Sequence, residues 1–261
     1  MCHCCGKVFS FDHTCPKCHS HSFYRLGMGT EKLEENLQSM FPKAYIVRMD
    51  ADSTRKKNAH AKLLKEFEEK GDILVGTQMV AKGLDYQRVS VVGILQADAS
   101  LARIDYQSAE TAYSMLEQAS GRCGRGQIEG NVYIQTFEPD HYVMQSVIQH
   151  DYFSFFSKEM KYRHLGMYPP YIYLCTVIYQ DKREEKAMQV AQNAKAYLSD
   201  LKVLGPISIS MRQQKARVRL VIKSKDKELL TQRVWQLVHH HMRLKTTVKQ
   251  DINMYPFGLE E

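Results

Sequence analysis

Two arginines three residues apart, Arg122 and Arg125, sit among glycines in the run Gln118-Ala119-Ser120-Gly121-Arg122-Cys123-Gly124-Arg125. On a helix that spacing aims both guanidinium forks the same way, toward one phosphate group. This is arginine-finger geometry, which stabilises charge on a transferring phosphoryl group. Taken alone, Gly-Arg-x-Gly-Arg also suits a solvated basic loop. Upstream lies Gly76-Thr77-Gln78-Met79-Val80-Ala81-Lys82-Gly83-Leu84-Asp85, preceded by the apolar run Ile73-Leu74-Val75. The run reads as a buried parallel strand ending in a polar turn, where side chains face a ligand crevice. Gly83 and Asp85 also fit a simple strand-to-helix turn, with Gly83 free to take positive φ and Asp85 capping the next segment.

The other chemistry is of metal type. Cys2-x2-Cys5 and Cys15-x2-Cys18, nine residues apart, form two knuckles that can each present two thiolates to a tetrahedral zinc. Five of the seven cysteines fall in the first eighteen residues while Cys123 and Cys175 stand alone, a distribution that suits metal better than disulfides and a reducing cytoplasm. Cys2, Cys5, Cys15 and Cys18 can share one ion, and Cys4 can compete for it. His3, His13, His19 and His21 read as loop residues.

These residues need a scaffold, and residues 24–140 alternate helix and strand. Thr30 reads as an N-cap, with Glu31 in the first turn and Leu33, Leu37 and Met40 on one face of the ensuing helix. Strands are expected over 44–49, 72–76, 89–95 and 131–136, and helices over 54–70 and 105–119. A βα alternation implies a parallel sheet. Thr30 and Thr77 are candidate phosphate contacts at helix and strand ends, and for Thr30 capping alone is the competing role.

After residue 140 the pattern changes. An aromatic helix carrying Phe153, Phe156, Met160 and Tyr162 leads to Tyr168-Pro169-Pro170-Tyr171, where two prolines stop any helix. Beyond come a strand at 171–180, a helix at 183–201, strands at 205–210 and 216–223, a helix at 226–243 and a strand at 247–254. The order βαββαβ is the split-βαβ, ferredoxin-like plan. Lys215, Arg217 and Arg219 alternate along one strand beside Arg212 and so share a face, suited to a phosphate-contact stripe or to a merely solvated strand face. His239-His240-His241 point three ways on a helix and make no joint metal site. Trp235 reads as core or part-buried surface.

The motifs Gly27-Met28-Gly29-Thr30-Glu31, Arg48-Met49-Asp50, the runs at 76–85 and 118–125, the cysteine pairs, and Arg163 with Tyr168-Pro169-Pro170-Tyr171 occur in an order that resembles superfamily 2 helicases. The narrower resemblance is to the PriA-type primosomal replication protein N′ family, over nearly the whole chain. It implies an α/β protein in three parts: a truncated zinc-binding segment at 1–23, a second RecA-like lobe at 24–150, and a DNA- and partner-binding domain at 151–261. It implies an ATP-dependent 3′-to-5′ DNA helicase that remodels stalled forks and initiates primosome assembly. By the same resemblance Arg122, Arg125 and Gln118 act on nucleotide, Gly83 and Asp85 couple nucleotide to DNA, and Thr30, Thr77, Gln78 and Lys82 join Lys215, Arg217 and Arg219 as DNA contacts. The resemblance also assigns zinc to Cys2, Cys5, Cys15 and Cys18, the last four of eight family cysteines that bind two ions with interleaved pairing. ATP with Mg would sit between this lobe and a first lobe. The implied partners are branched or single-stranded DNA, single-stranded DNA-binding protein and primosome proteins, with the chain a monomer.

Departures are visible: Gln96-Ala97-Asp98 where the family has two acids, Gln107 and Thr111 where arginine is common, and Cys123 for alanine. The 261 residues contain neither a Gly-x-x-x-x-Gly-Lys-Ser/Thr phosphate loop nor an Asp-Glu-x-His magnesium motif, so ATP hydrolysis by this chain alone is not expected. A non-enzymatic zinc and DNA-binding module, or a helicase remnant, is the alternative. Composition is globular, at 44% hydrophobic and 25% charged, without a bilayer-length apolar run or signal peptide. Residues 1–150 hold 17 Lys+Arg against 18 Asp+Glu and 151–261 hold 19 against 11, so the net +7 is −1 plus +8. The basic excess of the second part suits a phosphate-tracking surface.

Overall fold

The computed structural model describes residues 14, 19–21, 29–50, 52–54, 58–77, 88–102, 105–121, 130–212, 215–256 and 258–259. The chain divides into two compact units, one of residues 22–103 and 109–152, the other of residues 1–21, 104–108 and 153–261.

The first unit opens with α1 (Thr30–Met40), β1 (Ile46–Met49), α2 (Ala59–Lys70) and β2 (Ile73–Gly76). β1 and β2 are parallel, with Ile46 opposite Ile73 and Met49 opposite Gly76, so α2 is the crossover helix of a βαβ unit. Val47, Met49 and Val75 are buried, as a strand covered by helices requires. β3 (Val91–Ile94), α3 (Asp98–Leu101), α4 (Ser108–Ser120) and β4 (Asn131–Ile134) repeat the plan, with Val91 opposite Asn131 in a parallel pair. Among the described residues the strands thus form two parallel pairs, where one continuous sheet was expected. α4 buries Ala112, Tyr113 and Leu116, a one-face, i to i+4 spacing.

Two details of α1 correct the sequence reading. The cap is Gly29, in extended backbone, and Thr30 is the first helical residue. Met40 is 69% exposed, so it does not share the inner face with half-buried Leu33 and Leu37. The chain turns at Phe41, one residue later, which carries the end of the helix into solvent.

α5 (Tyr142–Ile148) and α6 (Tyr152–Gly166) come next. The second unit is then β5 (Tyr173–Asp181), α7 (Glu184–Tyr197), β6 (Lys202–Arg212), β7 (Lys215–Ser224), α8 (Lys227–Arg243) and β8 (Lys249–Met254), the βαββαβ order expected. The sheet is antiparallel, with strands in the order β6-β7-β5-β8. On one side Val177, Tyr179, Leu220 and Ile222 meet Ala187, Ala191 and Ala194 of α7 and Leu230, Val234 and Leu237 of α8. The alanines let α7 approach the sheet closely, and Asp226 caps α8 by accepting from the backbone N–H of Glu228 and Leu229. At Gly205 β6 shifts register with φ of +96°, and a Cβ there would stand 2.6 Å from the Arg219 carbonyl oxygen, so only glycine fits.

The other side of the sheet is closed by Ile172, Leu174, Val221 and Leu259, with Tyr106 and Tyr168 packed against them. Lys223, 4% exposed, donates to the carbonyls of Gly166 and Met167 and lies 3.5 Å over the Tyr168 ring, so it neutralises the C-terminal end of α6. Arg163 is paired with Glu159 at 2.6 Å and also reaches the Pro169 carbonyl. The Arg163 and Tyr168-Pro169-Pro170 motif is therefore an architectural knot. Cys175 is a buried free thiol, raised to about 12 by burial.

Candidate functional site

The carboxyl ends of the parallel strands carry the polar groups. Asp50, directly after β1, is 7% exposed. Its Oδ2 accepts from the Thr30 hydroxyl at 2.6 Å, and its Oδ1 accepts from the backbone N–H of Asp52 at 3.0 Å and of Ser53 at 2.8 Å. Arg48 Nε lies 3.6 Å from Asp50 and 3.3 Å from Glu34. The Thr30 hydroxyl first, and then the Ser53 amide, hold the Asp50 carboxyl down at about 2 against the opposing effect of burial. The same residue accepts the Thr54 hydroxyl on its carbonyl at 2.6 Å. One ionised aspartate thus fastens the start of α1, the end of β1 and the turn after it.

Thr77 comes directly after β2 and is exposed. Because Met49 pairs with Gly76, Asp50 and Thr77 leave the sheet at the same edge, the one that carries the Thr30 and Asp50 pair. Gln78, Lys82, Gly83 and Asp85 lie outside the described residues.

The second strand pair has its own acid. The Asp98 Oδ1 accepts from the Thr136 hydroxyl at 2.5 Å and its Oδ2 from the Phe137 N–H at 2.9 Å. Burial pushes this carboxyl up, but those hydrogen bonds outweigh it and leave the group below its ordinary range. Gln96, the departure from the family's acid pair, takes φ of 51° and donates its N–H to the Gln135 side chain at 3.2 Å.

Gln118 is on the exposed side of α4 and donates to Ser114 at 3.2 Å along its own helix. α4 ends at Ser120, where Gly121 N–H meets the Glu117 carbonyl. The helical aim expected for Arg122 and Arg125 therefore concerns residues outside those described, as do Cys123 and the candidate zinc ligands Cys2, Cys5, Cys15 and Cys18. Among the described residues no cluster of His, Cys, Asp or Glu is placed to hold a metal ion.

The basic strand requires one correction. Lys215 and Arg217 are half-buried, but Arg219 is 6% exposed and its guanidinium donates to the Leu259 carbonyl. Sharing a face is right. At Arg219 that face is closed by the C-terminal tail, whose Leu259 carbonyl accepts from the guanidinium, so Arg219 holds the tail. The three histidines do diverge: His239 is exposed, His240 stacks on Tyr197 at 4.6 Å, and His241 meets the Val248 carbonyl at 3.0 Å. Trp235 is 60% exposed, a second correction, because the buried stripe of α8 runs through Leu230, Val234 and Leu237.

Sequence reasoning named Asp50 and Asp98 only within motifs and gave neither of them, nor Thr136, a role at the site. The signal was present for Asp50, as the last residue of Arg48-Met49-Asp50, an acid closing an apolar run.

The first unit thus presents parallel strand pairs with Thr and Asp at their carboxyl ends, and the second a basic antiparallel sheet packed by two helices. Residues 20–127 match the helicase conserved C-terminal domain, and residues 164–256 match the primosomal protein N C-terminal domain, which makes this the C-terminal part of a helicase-type protein. The chain is 42% identical over 250 residues to the replication restart protein PriA of Bacillus subtilis (strain 168), covering 93% of this chain and 31% of that protein. It is 39% identical over 230 residues to PriA of Synechocystis, covering 85% and 28%, and 29% identical over 267 residues to PriA of Borreliella burgdorferi, covering 99% and 40%. The chain spans about a third of the length of the curated relatives it matches. It belongs to the PriA family of helicases.

Proposed function

We propose that this chain works as the C-terminal portion of an ATP-dependent 3′-to-5′ DNA helicase that recognises and remodels stalled replication forks and initiates primosome assembly. The observation that carries the reading is the strand edge shared by Asp50, its partner Thr30 and Thr77, within a region that matches a helicase domain and precedes a PriA-type one. In this reading the first unit is the second RecA-like lobe. Hydroxyls and helix-start amides at that edge hold the DNA backbone, with Gln78 and Lys82 alongside. Gly83 and Asp85 couple nucleotide to DNA, Gln118 positions nucleotide or water, and Arg122 and Arg125 stabilise the γ-phosphoryl charge. ATP with Mg is shared with a first lobe. The second unit is a ferredoxin-like domain that engages branched or single-stranded DNA, single-stranded DNA-binding protein and primosome proteins through a surface that includes Lys215 and Arg217. Zinc bound by Cys2, Cys5, Cys15 and Cys18 completes the assembly, in the cytoplasm and as a monomer.

The test joins this chain to a matching first lobe. Arg125→Ala lowers DNA-stimulated ATP turnover by about tenfold or more and leaves DNA affinity nearly unchanged. Unchanged turnover sinks the finger assignment.

One observation favours a second reading: no phosphate loop occurs in the 261 residues. A zinc and DNA-binding module without turnover accounts for that, but gives the Arg122 and Arg125 pair no work.

A further inference from the structure

Along α8 the second unit carries a row of rings that its own core does not use. Trp235 and His239, one helical turn apart and both exposed, lie with ring centroids 6.1 Å apart and planes 31° from parallel. One turn before Trp235 on that side, the Thr231 hydroxyl meets the Tyr255 hydroxyl at 3.3 Å. A further turn back, the Lys227 ammonium lies 5.6 Å from the centre of the Tyr255 ring. Tyr255, just past β8, meets Tyr173 edge-on with centroids 5.9 Å apart, and both tyrosines are exposed. From Thr231 to His239 the row follows about 12 Å of helix, at roughly 1.5 Å per residue.

Packing does not account for these positions. The stripe of α8 that meets the sheet is filled by Leu230, Val234 and Leu237, and the rings stand outside it. Tyr255 takes φ of 56°, a left-handed conformation that a large aromatic seldom adopts, and its N–H is bonded to the Leu174 carbonyl at 2.9 Å. A strained turn thus delivers that ring to α8. The charge around the row has one sign. Residues 229–250 include Arg233, Arg243, Lys245 and Lys249 and no Asp or Glu. Arg233 is paired with Asp200, which leaves Arg243 and Lys245 exposed at the C-terminal end of α8, while at its N-terminal end Lys225 and Lys227 balance Asp226 and Glu228. Flat rings open to solvent beside cations suit unstacked bases on the rings and phosphates on the cations. In a duplex the base faces are already covered, so the strand that fits is unpaired.

We propose that Tyr255, Trp235 and His239 form a stacking platform for the bases of single-stranded DNA, whose phosphates run on to Arg243 and Lys245. This rests on the reading of the second unit as a DNA-engaging domain, and adds to it the state of the strand and the side chains that hold it. Stacking tolerates any base, so the platform binds without regard to sequence. Its share of the affinity is insensitive to salt, because no counterion is released when a base meets a ring.

Trp235 is the one tryptophan of the chain, so its fluorescence reports on this face and no other. The whole chain is titrated with end-labelled oligothymidylate of about 16 nucleotides, following tryptophan emission and label anisotropy together. Emission is expected to fall about twofold or more, in step with the rise in anisotropy, and to stay constant with a duplex of the same length. Trp235→Ala raises the Kd for the single strand about fivefold or more and leaves the slope of log affinity against log salt unchanged, while Trp235→Phe stays close to the parent. Binding of the strand with constant emission and an unaltered Kd in Trp235→Ala overturns the platform and leaves the DNA reading standing. Equal quenching by the duplex, or quenching by an acidic peptide but not by the strand, overturns it too. If the parent binds no oligonucleotide, the DNA reading falls and the platform with it. The parent titration alone decides the matter should the variants fail to fold.

Discussion

Among the described residues of the first unit Asp50 gathers a dense set of hydrogen bonds, and its charge is what the set is built around. A carboxylate held at about 2, against 3.8 ordinarily, contributes stability that is present above about pH 4 and is lost as the pH falls toward 2. Thr30→Ala removes the largest contributor. It is expected to cost about 1.5 kcal/mol near neutral pH, since a hydrogen bond to an ionised acceptor is lost. The gap between parent and variant then narrows as pH falls from about 4 to about 2, read by urea unfolding at a series of pH values. A gap independent of pH would show that the hydroxyl acts by packing alone. The basic strand offers a second residue-scale test. Lys215→Gln is expected to weaken single-stranded DNA binding and reduce the slope of log affinity against log salt by about 1. Arg219→Gln lowers the melting temperature instead and leaves that slope unchanged, because its guanidinium is spent on Leu259.

At the scale of elements, β7 shows how one strand serves two layers. Val218, Leu220 and Ile222 build the core under α7 and α8, while Arg219 and Lys223 on the alternate face fasten the tail and the end of α6. Period-2 alternation predicts which residues go together but not which face meets water. The neighbouring β6 depends on Gly205, where positive φ and contact with the Arg219 carbonyl coincide. Gly205→Ala is expected to cost about 2 kcal/mol, from strain in the left-handed region together with displacement of β6, measured as a fall in urea midpoint at unchanged slope. Full stability in that variant would mean that β6 can slip its register freely.

For the whole molecule, the division of charge tracks the division of labour proposed: residues 151–261 carry the +8 excess and include the PriA-type domain. No helix among the described residues is long and apolar enough to cross a membrane. The cysteine pairs at the start of the chain give a prediction that metal analysis checks. Purified chain is expected to contain zinc, and Cys15→Ser to release it, because one thiolate fewer leaves a structural tetrahedral site open. Zinc content indifferent to that change would place the metal elsewhere.

The sequence by itself determined the family, the order of elements and the motifs, because these depend on local quantities: apolar periodicity, glycine and proline punctuation, and residue spacing along one strand or helix. It located most elements within a few residues, as for β8 at 249–254 against an expected 247–254. It also separated the three histidines, since angular spacing on a helix needs no partner. What only the tertiary structure decided was the use of each polar side chain. Thr30 answers to Asp50 twenty residues away, Asp105 to Leu259 across 154 residues, and Arg219 to the same tail residue. Burial of a charge depends on what the rest of the chain lays over it, and a long-range partner leaves no mark on the spacing of its neighbours. For that reason Arg219 and Trp235 changed places between reading and structure, the arginine going inside and the tryptophan out.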